Sequence, residues 1–402
     1  MVNSTIYQIL KKTTLFLFIL FCLIFPAADL IISKKLLFAC NVLFVIIDFV
    51  FEPEKEVLTR STLFRIITIL TIVIVFSIPT YWKNPAEVTF VIVSCLTLII
   101  SFSAHNYKSF FFKSFLLSAN ILAALTVFIG LISLYSKIIE ITVNSVFLAL
   151  DSGFLGYRDF GPLKLTMVHF RTAPVLIIPF SFYFIKLINK FSIKNISLFL
   201  LHAIAVVFTA SRGTILFSLL SLFFICLKNL NNKRFRFLFF TFIMLGGIGL
   251  SYILTQTNAL SSDEKSNSVK IGHLESFSEY MDQEPLILLT GKGTASYYYT
   301  KGFGRYAWQT EVTYLDLIRY FGLFITFIFL LTIMMPTRKT TMNIPFIMFF
   351  IDATTNPLIF ASTGMLVISL YYILQEGVPL FNNNLESKRR KRNDFLRYCC
   401  SL

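Results

Sequence analysis

Apolar blocks of about 16–24 residues recur along most of the chain, separated by short polar turns and by two long polar segments. A block of that length crosses a hydrocarbon core of about 30 Å as a helix. Backbone inside lipid has no water to bond, and a helix satisfies its N–H and C=O groups within one segment. Only 14% of the residues are charged and 56% are hydrophobic, with a mean hydropathy of +0.75. A soluble domain carries about 25% charged residues. This excludes a soluble globular domain, a disordered tail, a collagen and a disulfide mini-protein. The pattern predicts an all-α, polytopic integral membrane protein with about 12 transmembrane helices in one membrane domain, 1–402.

Twelve stretches qualify: 13–32, 36–52, 63–82, 86–104, 114–135, 172–189, 194–210, 214–230, 235–255, 312–335, 344–361 and 363–380. Pro26 and Asp29 interrupt the first, and no clean small-residue cleavage site follows, so a retained span is expected rather than a signal peptide. Short loops rich in Lys and Arg face the cytoplasm. Asn231-Asn232-Lys233-Arg234-Phe235-Arg236 is such a loop, which predicts both termini on the cytoplasmic side. The same rule accounts for the net charge of +15 without invoking nucleic acid. The tail, 381–402, carries Lys388-Arg389-Arg390-Lys391-Arg392, a contact for anionic membrane lipids. The 47 Phe residues suit lipid-facing and interhelical packing. Cys22, Cys40, Cys95, Cys226, Cys399 and Cys400 show no metal-ligand spacing, and neither a disulfide nor zinc is expected.

This orientation puts two long segments outside, 136–171 and 256–311. Loops of that length in a compact protein are usually functional. In the first, Ile138 to Leu150 is apolar but too short to span, and predicts a re-entrant or interfacial helix.

Polar residues gather on the outer side. They include Tyr157-Arg158-Asp159, His169-Phe170-Arg171, Ser211-Arg212-Gly213-Thr214, His273, Gly291-Lys292-Gly293, Arg305, Gln309-Thr310-Glu311 and Thr354-Thr355-Asn356-Pro357. A single arginine here reads as a headgroup anchor. Several beside long loops read as a phosphate site, because the planar guanidinium matches phosphate oxygens. Glu311 has two readings. It can cap the helix it opens, or act as a general base whose pKa is raised by partial burial. Asp316 and Arg319, at i and i+3, share a helix face. They read as a structural ion pair in preference to a proton relay. Asp352 is a further ionisable group within a span.

Phe208-Thr209-Ala210-Ser211-Arg212-Gly213-Thr214 resembles the Ser-Arg-Gly signature of the O-antigen polymerase and O-antigen ligase superfamily. His273 with Phe277, Pro285 and Gly291-x-Gly293 is similar to that family's Arg-x-x-x-Trp, Pro, Gly-x-Gly pattern, with His for Arg and Phe for Trp. Gln309-Thr310-Glu311 with Tyr314, Leu315 and Gly322 resembles the motif opening the next helix, where ligases carry a catalytic His. Thr355-Asn356-Pro357 and Ser362-Thr363-Gly364 resemble the last family block. The resemblance covers about 170–375; the first half agrees only in hydropathy.

The resemblance implies a metal-independent glycosyltransferase without cofactor, in the bacterial inner membrane with its site on the periplasmic face. It would join polyprenyl-diphosphate-linked (undecaprenyl diphosphate) repeat units into O-antigen or a related surface polysaccharide in lipopolysaccharide biosynthesis. Expected partners are those lipid-linked glycans, membrane lipids, a chain-length regulator and a flippase. Catalytic roles fall to Arg212 and Glu311, and substrate binding to Arg158, Arg171, His273 and Arg305. Tyr297, Tyr298 and Tyr299 are candidate sugar-stacking faces. Glu311 in place of His favours polymerase over ligase. A lipid-linked glycan flippase is the alternative of another class.

Overall fold

The structure, a computed structural model, describes residues 5–25, 33–51, 58–105, 107–160, 163–256 and 264–376. The basic tail, the start of the second long segment and the Gly161-Pro162 pair lie outside them.

The chain is mostly helical. In order it forms α1 (Thr5–Ile24), α2 (Lys34–Phe51), α3 (Arg60–Tyr81), α4 (Pro85–Leu96), α5 (Ile100–His105), α6 (Lys108–Tyr135) and α7 (Lys137–Ala149). The hairpin β1 (Gly153–Phe160) and β2 (Leu163–Phe170) leads into α8 (Ile177–Asn189), α9 (Ile193–Phe208), α10 (Arg212–Lys228) and α11 (Lys233–Gln256). Next come α12 (Lys265–Gln283), α13 (Ile287–Thr290), β3 (Tyr298–Thr300) and β4 (Arg305–Ala307). The chain ends in α14 (Thr313–Met334), α15 (Asn343–Ala353) and α16 (Ser362–Gln375). Among the described residues, five helices are long and apolar enough to cross a membrane: α1, α3, α4 with its continuation to Phe102, α6 and α14. Shorter apolar helices cover Ala173–Asn189, Ile193–Phe208, Asn343–Ala353 and Ser362–Gln375. Exposed side chains on α3, such as Phe64, Ile67, Ile74 and Ile78, are themselves apolar. That inversion of a soluble surface marks a membrane-embedded protein.

The expected helical character holds, and to it each long segment adds a two-stranded hairpin, β1–β2 in the first and β3–β4 in the second. The helix expected near 138–150 is α7, which leaves Ile138, Ile141 and Leu148 exposed and buries Phe147. On its other side the hairpin is fastened to α7 by Asn144 Oδ1, which accepts from the Leu155 amide at 2.9 Å, and by Tyr157, which donates to Glu140 at 2.8 Å. Strand side chains alternate. Leu155, Val168 and Phe170 enter a core with Leu122, Leu176 and Ala205 of the helices behind, leaving Phe154, Arg158, Met167 and His169 on the other face.

α14 is broken at Gly322, whose φ of 75° suits only a residue without a side chain. The break frees the carbonyls of Arg319 and Tyr320. The Lys292 and Gly293 amides donate to them at 2.7 and 3.1 Å. Gly291-Lys292-Gly293 is therefore the plug of a helix break.

Candidate functional site

One cavity of about 790 Å³ brings together Arg158, Arg171, Arg212, Lys270 and Glu311. Its walls come from β1–β2, the start of α10, the start of α12, the segment before α14 and the Thr355–Leu358 turn.

Each residue of Ser211-Arg212-Gly213-Thr214 has a separate task. Ser211 is the N-cap of α10 and accepts from the Thr214 amide at 3.4 Å. Thr214 donates through Oγ1 to Asp352 Oδ2 at 2.9 Å. Gly213 must lack a side chain, since a Cβ there would stand 2.5 Å from Asp352 Oδ1. Arg212 is left pointing into the cavity, 3.2 Å from Glu264. Just before this turn Ala210 takes a φ of 44°, and its carbonyl accepts from Arg158 Nη1 at 3.0 Å. Arg158 is thereby fixed beside Arg212. Burial, and then Arg212, pull the Arg158 guanidinium below its usual value, while Glu264 and Glu311 oppose this. Arginine keeps its proton in any case. Arg171, at the rim, is paired with Asp151, and both are exposed.

Glu311 is held through its neighbours. Asp316 Oδ2 accepts from the Thr310 amide at 2.7 Å and from the Thr310 hydroxyl at 3.1 Å. Asp316 also pairs with Arg319 at 2.7 Å, and Arg319 donates to the Ser296 and Trp308 carbonyls. The pair expected from the i, i+3 spacing is present, and it clamps the segment before α14. The Thr313 amide donates to the Thr354 carbonyl at 2.9 Å, so the turn holding Asn356 is tied to the same helix start. Glu311 does not cap α14: the helix begins at Thr313, its N-cap is Val312, and no side chain caps it. Burial raises the Glu311 carboxyl above its ordinary value, against the pull of Lys270 and Arg158 and with the push of Glu264.

His273 and Arg305 are not among the residues lining this cavity. His273 is fully buried, hydrogen-bonded to Thr300 and edge-on to Phe303. Burial pushes its imidazole down to about 4, so it is neutral at physiological pH. Arg305 is exposed on β4, over the Phe303 ring. The tyrosine trio is absent from the lining as well: Tyr298 is buried under Arg319, and Tyr297 donates to Glu87. Nothing in the sequence singles out Lys270. It is one of several lysines in a polar segment, and the helical face it shares with Ser266 and Asn267 identifies it only once α12 has docked.

Among the described residues, no group of three or more His, Cys, Asp or Glu side chains could hold a metal ion. Compared with protein families, with curated proteins and with solved structures, the chain matches none.

Proposed function

We propose that this cavity binds a lipid-linked glycan diphosphate and that the protein is a polymerase of such glycans, with its site on the periplasmic face of a bacterial inner membrane and with about twelve spans. The observation that carries the reading is the convergence of Arg158, Arg212 and Lys270 around the half-buried carboxyl of Glu311. The acceptor hydroxyl oxygen attacks the anomeric carbon of the donor glycan, and its proton passes to Glu311. The bond from that carbon to the diphosphate breaks, and the lipid diphosphate leaves with the electron pair. Preplaced cations stabilise the charge growing on that leaving group. The bond broken is already activated, so no external energy source is required.

A broken helix is also a mark of transporters, where freed backbone groups coordinate ions. In α14 those carbonyls already accept from the Lys292 and Gly293 amides, which speaks against a flippase.

The test is a deletion strain and purified protein supplied with lipid-linked repeat units. Single repeat units on lipid A core and polymer formation in vitro support the polymerase. Polymer stranded on the carrier lipid identifies a ligase, and repeat units that never reach the periplasm identify a flippase. Cysteines at exposed Ser268 or Leu274 should label from the periplasm with an impermeant reagent, and one at exposed Ile193 should not.

A further inference from the structure

The cavity is not cationic throughout. Away from Arg212 its lining includes Phe90, Phe154, Phe303 and His169, together with the amide side chains of Asn267, Gln309 and Asn356. Phe154 and His169 are a cross-strand pair of the hairpin, with ring centroids 4.9 Å apart and planes tilted by 41°. Phe154 is 41% exposed although the other face of its hairpin is packed into a helical core. Apart from its contact with His169, this ring is left open toward the cavity. Phe154 and Arg158 lie on the cavity-facing side of β1, and between them the Met167 side chain, from the strand partner of Gly156, completes the wall. Four residues of strand span about 13 Å.

That wall matches a saccharide carrying an anionic group. One face of a sugar ring is a patch of C–H groups that packs on an aromatic ring, while its hydroxyls need both donors and acceptors. His169 supplies both if it is neutral, one nitrogen donating and the other accepting. Burial, followed by the nearby Arg158 and Arg171, pushes its imidazole down to about 4, so it is neutral at physiological pH.

We infer that the Phe154–His169 pair is the saccharide platform of the cavity: a sugar ring lies with its C–H face on Phe154 and its hydroxyls toward His169, and its phosphate runs past Met167 to Arg158. This rests on the glycan-diphosphate reading above and adds which wall holds the sugar.

The experiment measures binding to the purified full-length protein of two probes, the lipid-diphosphate-linked repeat unit and the same polyprenyl diphosphate without sugar. Phe154→Ala should weaken the first about tenfold and leave the second unchanged, with Phe154→Tyr close to the parent. His169→Gln, which keeps a donor and an acceptor, should bind the first probe better than His169→Leu. Equal weakening of both probes by Phe154→Ala, or no weakening of either, overturns the platform. If the unsubstituted protein binds both probes equally, the phosphate site stands and the platform falls. If it binds neither, the glycan-diphosphate reading fails and the platform with it.

Discussion

Thr214 donates to Asp352 across 138 residues of sequence, and this bond ties the helix start that carries Arg212 to α15. Asp352 lies in the last turn of α15 and Thr214 in the first turn of α10, so the two helices are pinned where the cavity begins. Between them Gly213 leaves room for the carboxylate. A Gly213→Ala substitution would force Asp352 Oδ1 away from a Cβ 2.5 Å distant and break the Thr214 bond. Overpacking of this kind costs about 1–3 kcal/mol. Turnover should fall at least about tenfold, with a lowered melting temperature in detergent. Thr214→Val, which removes the donor without adding bulk, should lower turnover with a smaller thermal effect. Full turnover in both variants would show that Arg212 is positioned by something else.

Arg212 itself separates a phosphate fork from a headgroup anchor. Arg212→Ala should abolish polymer while the amount of protein in the membrane stays near the parent level. Arg212→Lys should recover little, because an ammonium lacks the planar pair of donors that a diphosphate engages. Polymer length and yield on gels give the readout, and full recovery by Lys would reassign Arg212 to anchoring.

The Asp316–Arg319 pair should behave as structure. Both side chains are buried, and Arg319 also donates to the Ser296 and Trp308 carbonyls. Removing one partner of a buried pair leaves an uncompensated charge and costs about 3–5 kcal/mol. Arg319→Ala should therefore lose folded protein before it loses chemistry, as measured by thermal unfolding and membrane yield. A stable but inactive Arg319→Ala protein would place the pair in the mechanism instead.

Helix positions are legible because apolar length is a strong signal: each of the twelve expected stretches overlaps a described helix, although only five of these helices are long and apolar enough to cross a membrane. Their ends are less so. α1 begins at Thr5 rather than near 13, because Lys11 is buried against Asp48 instead of marking a polar boundary. The β1–β2 hairpin was missed for a different reason. Its alternation is blurred because the cavity face also carries Phe154 and Met167, so both faces read as apolar. A Gly-Pro pair between two short strand-like runs was the available signal. Of the site residues, Arg158, Arg171, Arg212 and Glu311 come together: Arg171, Arg212 and Glu311 sit where a polar segment meets a helix, and Arg158 is brought to them by the β1–β2 hairpin. His273 and Arg305 do not, because chemical type and motif position carry no information about burial. Their places on α12 and β4 depend on how a small core of Phe277, Met281, Ile287, Tyr298 and Val312 packs.

Glu311 offers the sharpest separation of function from stability. Burial raises its carboxyl above the ordinary value, so the folded protein holds this proton more tightly than the unfolded chain does. Its contribution to stability is therefore full below the unfolded-state pKa and is lost as pH rises through the folded-state pKa. At neutral pH the ionised group costs stability. Gln resembles the neutral form, so Glu311→Gln should melt at the same or a higher temperature than the parent at neutral pH. A base must be ionised to accept the acceptor's proton, and its loss typically lowers the rate about 10²–10⁴-fold. The stabilised Gln variant should thus make almost no polymer from purified lipid-linked repeat units. In the parent, turnover should rise with pH through a midpoint above the ordinary glutamate value, and the residual activity of the Gln variant should lack that limb. Near-parental turnover by Glu311→Gln, or the same pH limb in both proteins, would remove Glu311 from the reaction and leave the cations around the leaving group as the catalytic feature of the cavity.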